Sequence, residues 1–151
     1  MSHPIRRSLA ALAVFAATTV ACCSVAEART RFLTLMVKQD FSDCSNSTVP
    51  NPPDPASVGG EAEVTQRTDG TTTVNVRLTK VAPNTTYHLF LKCVTQLGDI
   101  TTNAQGRGNN TFSFQTSTVG PVYAFDMYPD WAPLGNKYQS IQINFQPKSP
   151  Q

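Results

Sequence analysis

Residues 73–78 read Thr-Val-Asn-Val-Arg-Leu, with polar and apolar side chains in strict alternation. Successive side chains of a β-strand point to opposite faces of a sheet, so this pattern predicts a strand with one buried and one exposed face. Val74, Val76 and Leu78 then share the buried face. We therefore expect Val76 in the core and Asn75 at the surface.

The strand before this one pairs with it through a hairpin, and the apolar pattern selects the length of the loop. A two-residue turn would set Val64 opposite Asn75 and mix the two faces of the sheet. A three-residue loop over 68–70 sets Val64 opposite Val74 instead. The last residue of such a loop has positive φ, which Gly70 adopts without steric cost. The sequence predicts the three-residue loop.

Other segments have the same two-residue period or are rich in Val, Thr and aromatic residues. These strand candidates are 31–38, 61–67, 86–95, 98–102, 112–114, 121–128 and 141–145. No segment beyond residue 28 predicts an amphipathic helix. About seven to eight short strands separated by turns are typical of an antiparallel β-sandwich or a small barrel. An all-β fold is expected.

Two segments are predicted to be loops. Residues 39–60 contain four prolines and a Gly-Gly pair, with almost no aliphatic side chains. A loop of this length is unusual in a compact domain, and a covalent tether at Cys44 would explain how it is held. Residues 103–110 form the second loop, which is short and polar.

The motif Val81-x-Pro83-x-Thr85-x-Tyr87 runs directly into the apolar segment 89–93. It resembles the corner that precedes a strand in fibronectin type III and other immunoglobulin-like domains. The resemblance implies an immunoglobulin-like β-sandwich, with the tyrosine hydroxyl bonded to the backbone a few residues upstream. The chain departs from that family because more strand candidates follow Tyr87 and no tryptophan precedes it.

The N-terminal segment has the three parts of a secretion signal. Arg6 and Arg7 supply positive charge, residues 9–20 are apolar or small, and Ala26-Glu27-Ala28 matches the cleavage pattern. The apolar run is shorter than the roughly 20 residues that a spanning helix needs. We expect residues 1–28 to be a signal peptide and 29–151 to be a single secreted domain, extracellular or periplasmic, with no transmembrane segment.

A lipid anchor is the alternative for this segment. Thr19-Val20-Ala21-Cys22 loosely resembles a bacterial lipoprotein box, which would leave Cys22 lipidated. Thr19 departs from the larger aliphatic residue that this box prefers.

Two cysteines remain after residue 28, Cys44 and Cys93. An even pair in an oxidising compartment is expected to form a disulfide. Closing a loop of this length would stabilise the fold by roughly 4 kcal/mol on the chain-entropy model. A pair of free thiols is the alternative.

Charge and histidine content exclude several classes of function. After residue 28 the chain has ten basic and nine acidic residues, and the basic residues are scattered. Nucleic acid is therefore not expected as a partner. His88 is the only histidine in that part, which excludes sites that need several imidazoles. No metal, cofactor or catalytic residue is expected, since nothing resembling a nucleophile elbow accompanies His88.

Two sets of acidic residues could in principle form a glycosidase carboxylate pair or a calcium site. Glu61 and Glu63 share one strand face, where a solvated surface is favoured over a glycosidase pair. Asp126 and Asp130, together with Asp99 or Asn103, offer oxygen ligands of the kind that calcium takes. They lack the spacing of a calcium loop, so turn-forming aspartates are favoured.

Aromatic residues near the C-terminus form the candidate ligand-binding site. Tyr128, Trp131 and Tyr138 surround a segment with prolines at 129 and 133. Aromatic rings on a rigid loop can stack on sugar rings or anchor a protein partner. The alternative is that Trp131 fills the open end of the fold as part of the core.

These observations favour a secreted, non-enzymatic module that binds a glycan or a protein through its loops. One alternative is a structural subunit of a cell-envelope or surface assembly, which would make contacts through its strand edges. Another is an enzyme inhibitor or a small hydrolase.

Overall fold

The computed structural model describes residues 29–39, 49–131 and 136–145. The described residues form ten strands and two short 3-10 helices, at Pro55–Ser57 and Thr116–Thr118, which confirms the all-β class. The strands are β1 (Arg29–Lys38), β2 (Val58–Arg67), β3 (Thr71–Leu78), β4 (Thr86–Leu91), β5 (Thr95–Thr101), β6 (Gly108–Gln115), β7 (Val122–Tyr123), β8 (Phe125–Tyr128), β9 (Tyr138–Ser140) and β10 (Ile143–Asn144).

Eight of these strands make one antiparallel sheet in the order β5-β4-β8-β9-β1-β2-β3-β6, while β7 and β10 pair separately. The two end strands of that order, β5 and β6, lie close together. Asn110 on β6 donates a hydrogen bond to the backbone oxygen of Asp99 on β5 at 2.9 Å. The sheet is therefore almost closed into a barrel. The two facing sheets of an immunoglobulin-like sandwich are not shown, so that finer assignment stays a prediction.

The β2–β3 hairpin has the predicted register. Val64 pairs with Val74 across a three-residue loop, and Gly70 at the end of that loop has φ 82°. Val76 is fully buried. Asn75 lies on the opposite face, where its side chain donates to Thr111 Oγ1 at 2.8 Å. The alternation in this part of the chain therefore reports the true division between core and surface.

The predicted tyrosine hydrogen bond is also present. The hydroxyl of the fully buried Tyr87 accepts from the backbone N–H of Ala82 at 3.1 Å and donates to Asn136 Oδ1 at 2.6 Å. The bond to Asn136 connects the start of β4 to the segment before β9, and the bond from Ala82 holds the corner before β4. The bond from Ala82 is the one that the motif ending at Tyr87 predicts, and it does not by itself identify a family.

Residues inside the curled sheet form one core. They are Met36, Ala62, Val64, Val74, Val76, Leu78, Val81, Tyr87, Leu89, Leu91, Ile100, Phe114, Tyr123, Phe125, Met127, Tyr138 and Ile143. The buried face of β4 is thus apolar, and its alternate residues, His88 and Phe90, point outward.

Several predicted boundaries are wrong. The segment 86–95 is not one strand, because Cys93 has φ 58° and the chain turns between β4 and β5. The segment 121–128 is interrupted at Ala124 and yields β7 and β8, whereas in the segment 141–145 only Ile143–Asn144 is strand. The end of the predicted loop 39–60 is in fact strand, because β2 begins at Val58. Gly60 lies so close to the carbonyl of Arg77 that a Cβ would collide with it, so the glycine serves strand packing there.

The second predicted loop is also shorter than expected. Residues 103–110 were expected to be a polar connection, yet β6 begins at Gly108 and pairs with β3 from that residue. The first residues of β6 are polar because they are largely exposed to solvent, and for this reason the sequence resembles a loop.

Some predictions fall outside the described residues. Residues 1–28, with the expected signal peptide and Cys22, are among them, as is Cys44. Cys93 is the only cysteine among the described residues, so the Cys44–Cys93 pairing stays a prediction. In the described ranges there is no helix with the length and hydrophobicity that a membrane crossing requires.

Candidate functional site

His88 lies on the outer face of β4, between the buried Tyr87 and Leu89. In the sheet it is opposite Asp99 of β5 on one side and Tyr128 of β8 on the other. Its side chain is 19% exposed. The imidazole is therefore mostly covered and lies on the central one of three adjacent strands.

Both ring nitrogens of His88 contact carboxylates. Nδ1 lies 2.7 Å from Asp99 Oδ1, and Nε2 lies 2.7 Å from Asp130 Oδ1. Gln96 donates to the same Asp99 oxygen at 2.9 Å and lies 3.2 Å from His88 Nδ1. We call His88, Asp99, Asp130 and Gln96 the His88 clamp. It joins β4 and β5 to the residue that precedes Trp131.

The electrostatics of the His88 clamp favour a charged imidazole. The hydrogen bond to Asp99 raises the pKa of His88 above its usual 6.5, burial opposes this rise, and Asp130 adds to it. A positive charge between two carboxylates is the arrangement that stabilises the protonated form.

Aromatic side chains lie beside the His88 clamp. The rings of Phe90 and Tyr128 are stacked, with centroids 4.8 Å apart and planes 12° apart. The ammonium of Lys137 lies 5.4 Å from the centroid of Tyr128. Trp131 is 63% exposed, which does not fit the alternative of a tryptophan filling the end of the core.

Tyr138 does not belong to this surface, so the predicted group of three aromatic residues is wrong in that member. Its side chain is only 5% exposed and makes an edge contact with Tyr87 in the core. The cause is its place on β9, where its side chain faces the inside of the sheet. Burial raises the pKa of Tyr138 to about 12. Ligand binding at Tyr128 and Trp131 stays a prediction.

The other candidate carboxylates are not collected into a site. Glu61 faces Arg77 at 3.8 Å and Glu63 faces Arg31 at 3.1 Å, as on a solvated strand surface. Asp126 is buried with one oxygen 3.8 Å from the Lys137 ammonium. Within the described part of the chain, no group of three or more His, Cys, Asp or Glu residues is placed to hold a metal ion.

The same geometry bears on the catalytic triad that would have to be built on His88. A general base needs a free nitrogen within reach of a hydroxyl or thiol. Here the described contacts of both nitrogens are to Asp99 and Asp130 and to the amide of Gln96. The arrangement is suited to holding two chain segments together.

The sequence pattern does not reveal the His88 clamp, because residues 86–95 have the pattern of a single strand. With the turn placed at Cys93, His88 and Asp99 become cross-strand partners. A turn predicted between Leu91 and Thr95 would have indicated that His88 and Asp99 are neighbours. The contact with Asp130 leaves no local signal, since 42 residues separate it from His88.

The chain matches no protein-family model, and no curated protein has significant similarity to it.

Proposed function

We propose that this protein is a secreted, non-enzymatic module that binds a carbohydrate at the surface formed by Trp131 and the His88 clamp. One observation carries the proposal: Trp131 is 63% exposed and directly follows Asp130, whose carboxylate contacts His88. Tryptophan is enriched at binding interfaces, because its ring buries a large apolar area while its indole N–H can find a hydrogen-bond partner.

The chemistry of this surface supports a sugar ligand. Pyranose rings have an apolar face that packs on an indole ring, and hydroxyl groups around their edge that need donors and acceptors. Asp99, Asp130 and Gln96 supply such groups close together. Pro129 is buried, and Asp130 accepts a hydrogen bond from His88. Both restrain the backbone before Trp131, so less freedom is lost on binding.

The binding part is tested by fluorescence titration with soluble cello-, chito-, xylo- and malto-oligosaccharides. Trp131 is the only tryptophan, so a change in emission reports this site alone. We expect saturable quenching or a shift with at least one series, and loss of binding in Trp131→Ala measured by calorimetry. Leu33→Ala is the matched control, because Leu33 on β1 is 61% exposed and lies outside the clamp.

Two outcomes would contradict the proposal. The first is an absence of binding to every series at millimolar concentration. The second is equal loss of binding in Trp131→Ala and Leu33→Ala. Retention of a protein from the secreted medium that depends on Trp131, without saccharide binding, would assign the surface to a protein partner instead.

The export part has its own test. Intact mass and N-terminal sequencing of the secreted protein should place its start near Arg29, after Ala26-Glu27-Ala28. A lipid on an N-terminal Cys22 would replace the soluble secreted module with an anchored one.

A further inference from the structure

We propose that the His88 clamp is closed only while His88 is protonated, and that loss of this proton releases Asp130 and the adjoining Trp131 from β4 and β5. The effect on ligand affinity rests on the proposed function, whereas the movement of Asp130 and Trp131 does not.

The proposal follows from a count of donors and acceptors. A neutral imidazole has one N–H, a charged imidazole has two, and an ionised carboxylate only accepts. Asp99 and Asp130 lie 2.7 Å from opposite nitrogens of the same ring. Only the charged ring can donate to both. After proton loss, a nitrogen lone pair faces a carboxylate oxygen, and that contact becomes repulsive.

The geometry also indicates which carboxylate is released. The Asp130 side chain is 90% exposed, whereas Asp99 is 51% exposed and also accepts from Gln96. An interaction that is less hydrated is less screened, so the bond to Asp99 is the stronger one. The remaining proton therefore stays on Nδ1, and Asp130 loses its donor.

Gln96 could stabilise the other tautomer of neutral His88, in which the remaining proton is on Nε2. Its amide nitrogen lies 3.2 Å from His88 Nδ1 and could donate to that atom if the remaining proton were on Nε2. In that tautomer Asp130 would keep its hydrogen bond. The tautomer of neutral His88 thus separates release of Asp130 from its retention.

The groups that face His88 come from both neighbouring strands. Asp99 on β5 and Asp130 after β8 are the titratable groups in described contact with the ring, and Tyr128 on β8 is opposite it. Lys137 is directed to Asp126 and to the Tyr128 ring. The raised pKa of His88 agrees with this environment and places the transition above pH 6.5.

The experiment measures the full chain by NMR and fluorescence from about pH 5.5 to 9, a range in which ordinary carboxylates stay ionised. Comparison with His88→Gln assigns the His88 signals, since the sequence also contains His3. We expect a His88 midpoint above 6.5, the Nδ1–H tautomer above that midpoint, and a change in Trp131 anisotropy with the same midpoint. His88→Gln should remove the Trp131 transition.

Asp130→Asn gives a more specific test than removal of the histidine. The asparagine amide can accept from a charged ring and donate to a neutral one, so the clamp should stay closed at every pH. We expect Trp131 to keep its low-pH anisotropy throughout the range. Glu63→Gln, which removes an exposed carboxylate that faces Arg31, is the control and should leave both midpoints unchanged.

Two results would overturn the proposal: a Trp131 signal that stays constant through the His88 midpoint, or an Nε2–H tautomer above it. Neither measurement needs a ligand. If a saccharide binds to the closed form of the clamp, its affinity should weaken in proportion to the fraction that stays closed. At a pH above the midpoint where about one fifth stays closed, the affinity should be about fivefold weaker. A Trp131 transition without saccharide binding would keep the clamp and reject the carbohydrate proposal. Binding with no Trp131 transition would do the reverse.

Discussion

Two hairpins of the sheet, β2–β3 and β4–β5, have loops of the same length and differ in what their outer faces do. Each has a three-residue connection containing one residue with positive φ, Gly70 in the first and Cys93 in the second. The register of β2–β3 is regular, whereas that of β4–β5 shifts between Leu89 and Phe90. The outer face of the first carries solvated side chains, and that of the second carries the His88 clamp. The inner face determines the fold in both hairpins, and the outer faces differ in their contacts. Asn75 of the first bonds to Thr111 on the neighbouring strand β6, whereas His88 of the second also contacts Asp130, which lies beyond the end of β8.

The largest effect should come from the inner face of β2–β3. Val76→Asp buries a carboxylate without a partner and should cost about 4 kcal/mol or more, enough to abolish folding of a small domain. Asn75→Asp, one residue away, should change stability by less than about 1 kcal/mol. Chemical denaturation, or the yield of folded secreted protein, checks both. Similar losses from the two changes would contradict the register of this hairpin.

A smaller effect should come from the start of β4. Tyr87→Phe keeps the buried ring but leaves the Ala82 N–H and the Asn136 side chain without their partner, at a cost of about 1–3 kcal/mol. Denaturant unfolding measures it. Thr111→Val, which removes the exposed acceptor of Asn75 on the outer face of the sheet, is a control that should cost much less. Equal costs would mean that the corner adds nothing specific.

The His88 clamp, which lies on the second hairpin, should make the stability of the protein depend on pH. The pKa of His88 is raised on folding, so its contribution is fully present below about pH 6.5 and is lost as pH rises through the folded pKa. The difference in melting temperature between the natural protein and His88→Gln should therefore shrink from pH 6 to pH 9. A difference that grows over this range would have the wrong sign and would reject the clamp as a stabilising contact.

The smallest effect on stability should come from Trp131. Because this side chain is exposed, Trp131→Ala should change the free energy of unfolding by no more than about 0.5 kcal/mol. A tryptophan in the core would cost about 3–5 kcal/mol instead. Thermal unfolding followed by circular dichroism decides between these values.

The parts of the fold that were predictable from sequence are those set by local patterns. The alternation around Val74 and Val76 gave the register of β2–β3, and the motif ending at Tyr87 gave the hydroxyl bond to Ala82. Both depend on residues close together in the chain. The loop at 68–70 was predictable for the same reason, since only one length keeps the apolar faces together.

The candidate site was predictable only in part, because its contacts join distant residues. Trp131 was found as an aromatic residue between prolines, and its exposure fits that prediction. Tyr138 was assigned to the same surface from sequence proximity, but a strand alternates its side chains and this one faces the core. The apolar run through Cys93 concealed a turn, and without the turn His88 had no visible partner.

The position of β1 has a consequence for how the chain acquires its structure. This first strand lies between β2 and β9, so its pairing at Met36 with Ser140 spans almost the whole described chain. Contacts between residues so far apart in sequence slow folding, because the intervening chain must lose its freedom before they form. The sheet is not complete until the last strands have been synthesised. A chain that emerges from the ribosome therefore cannot join β4 to β1 through the sheet until β8 and β9 are available.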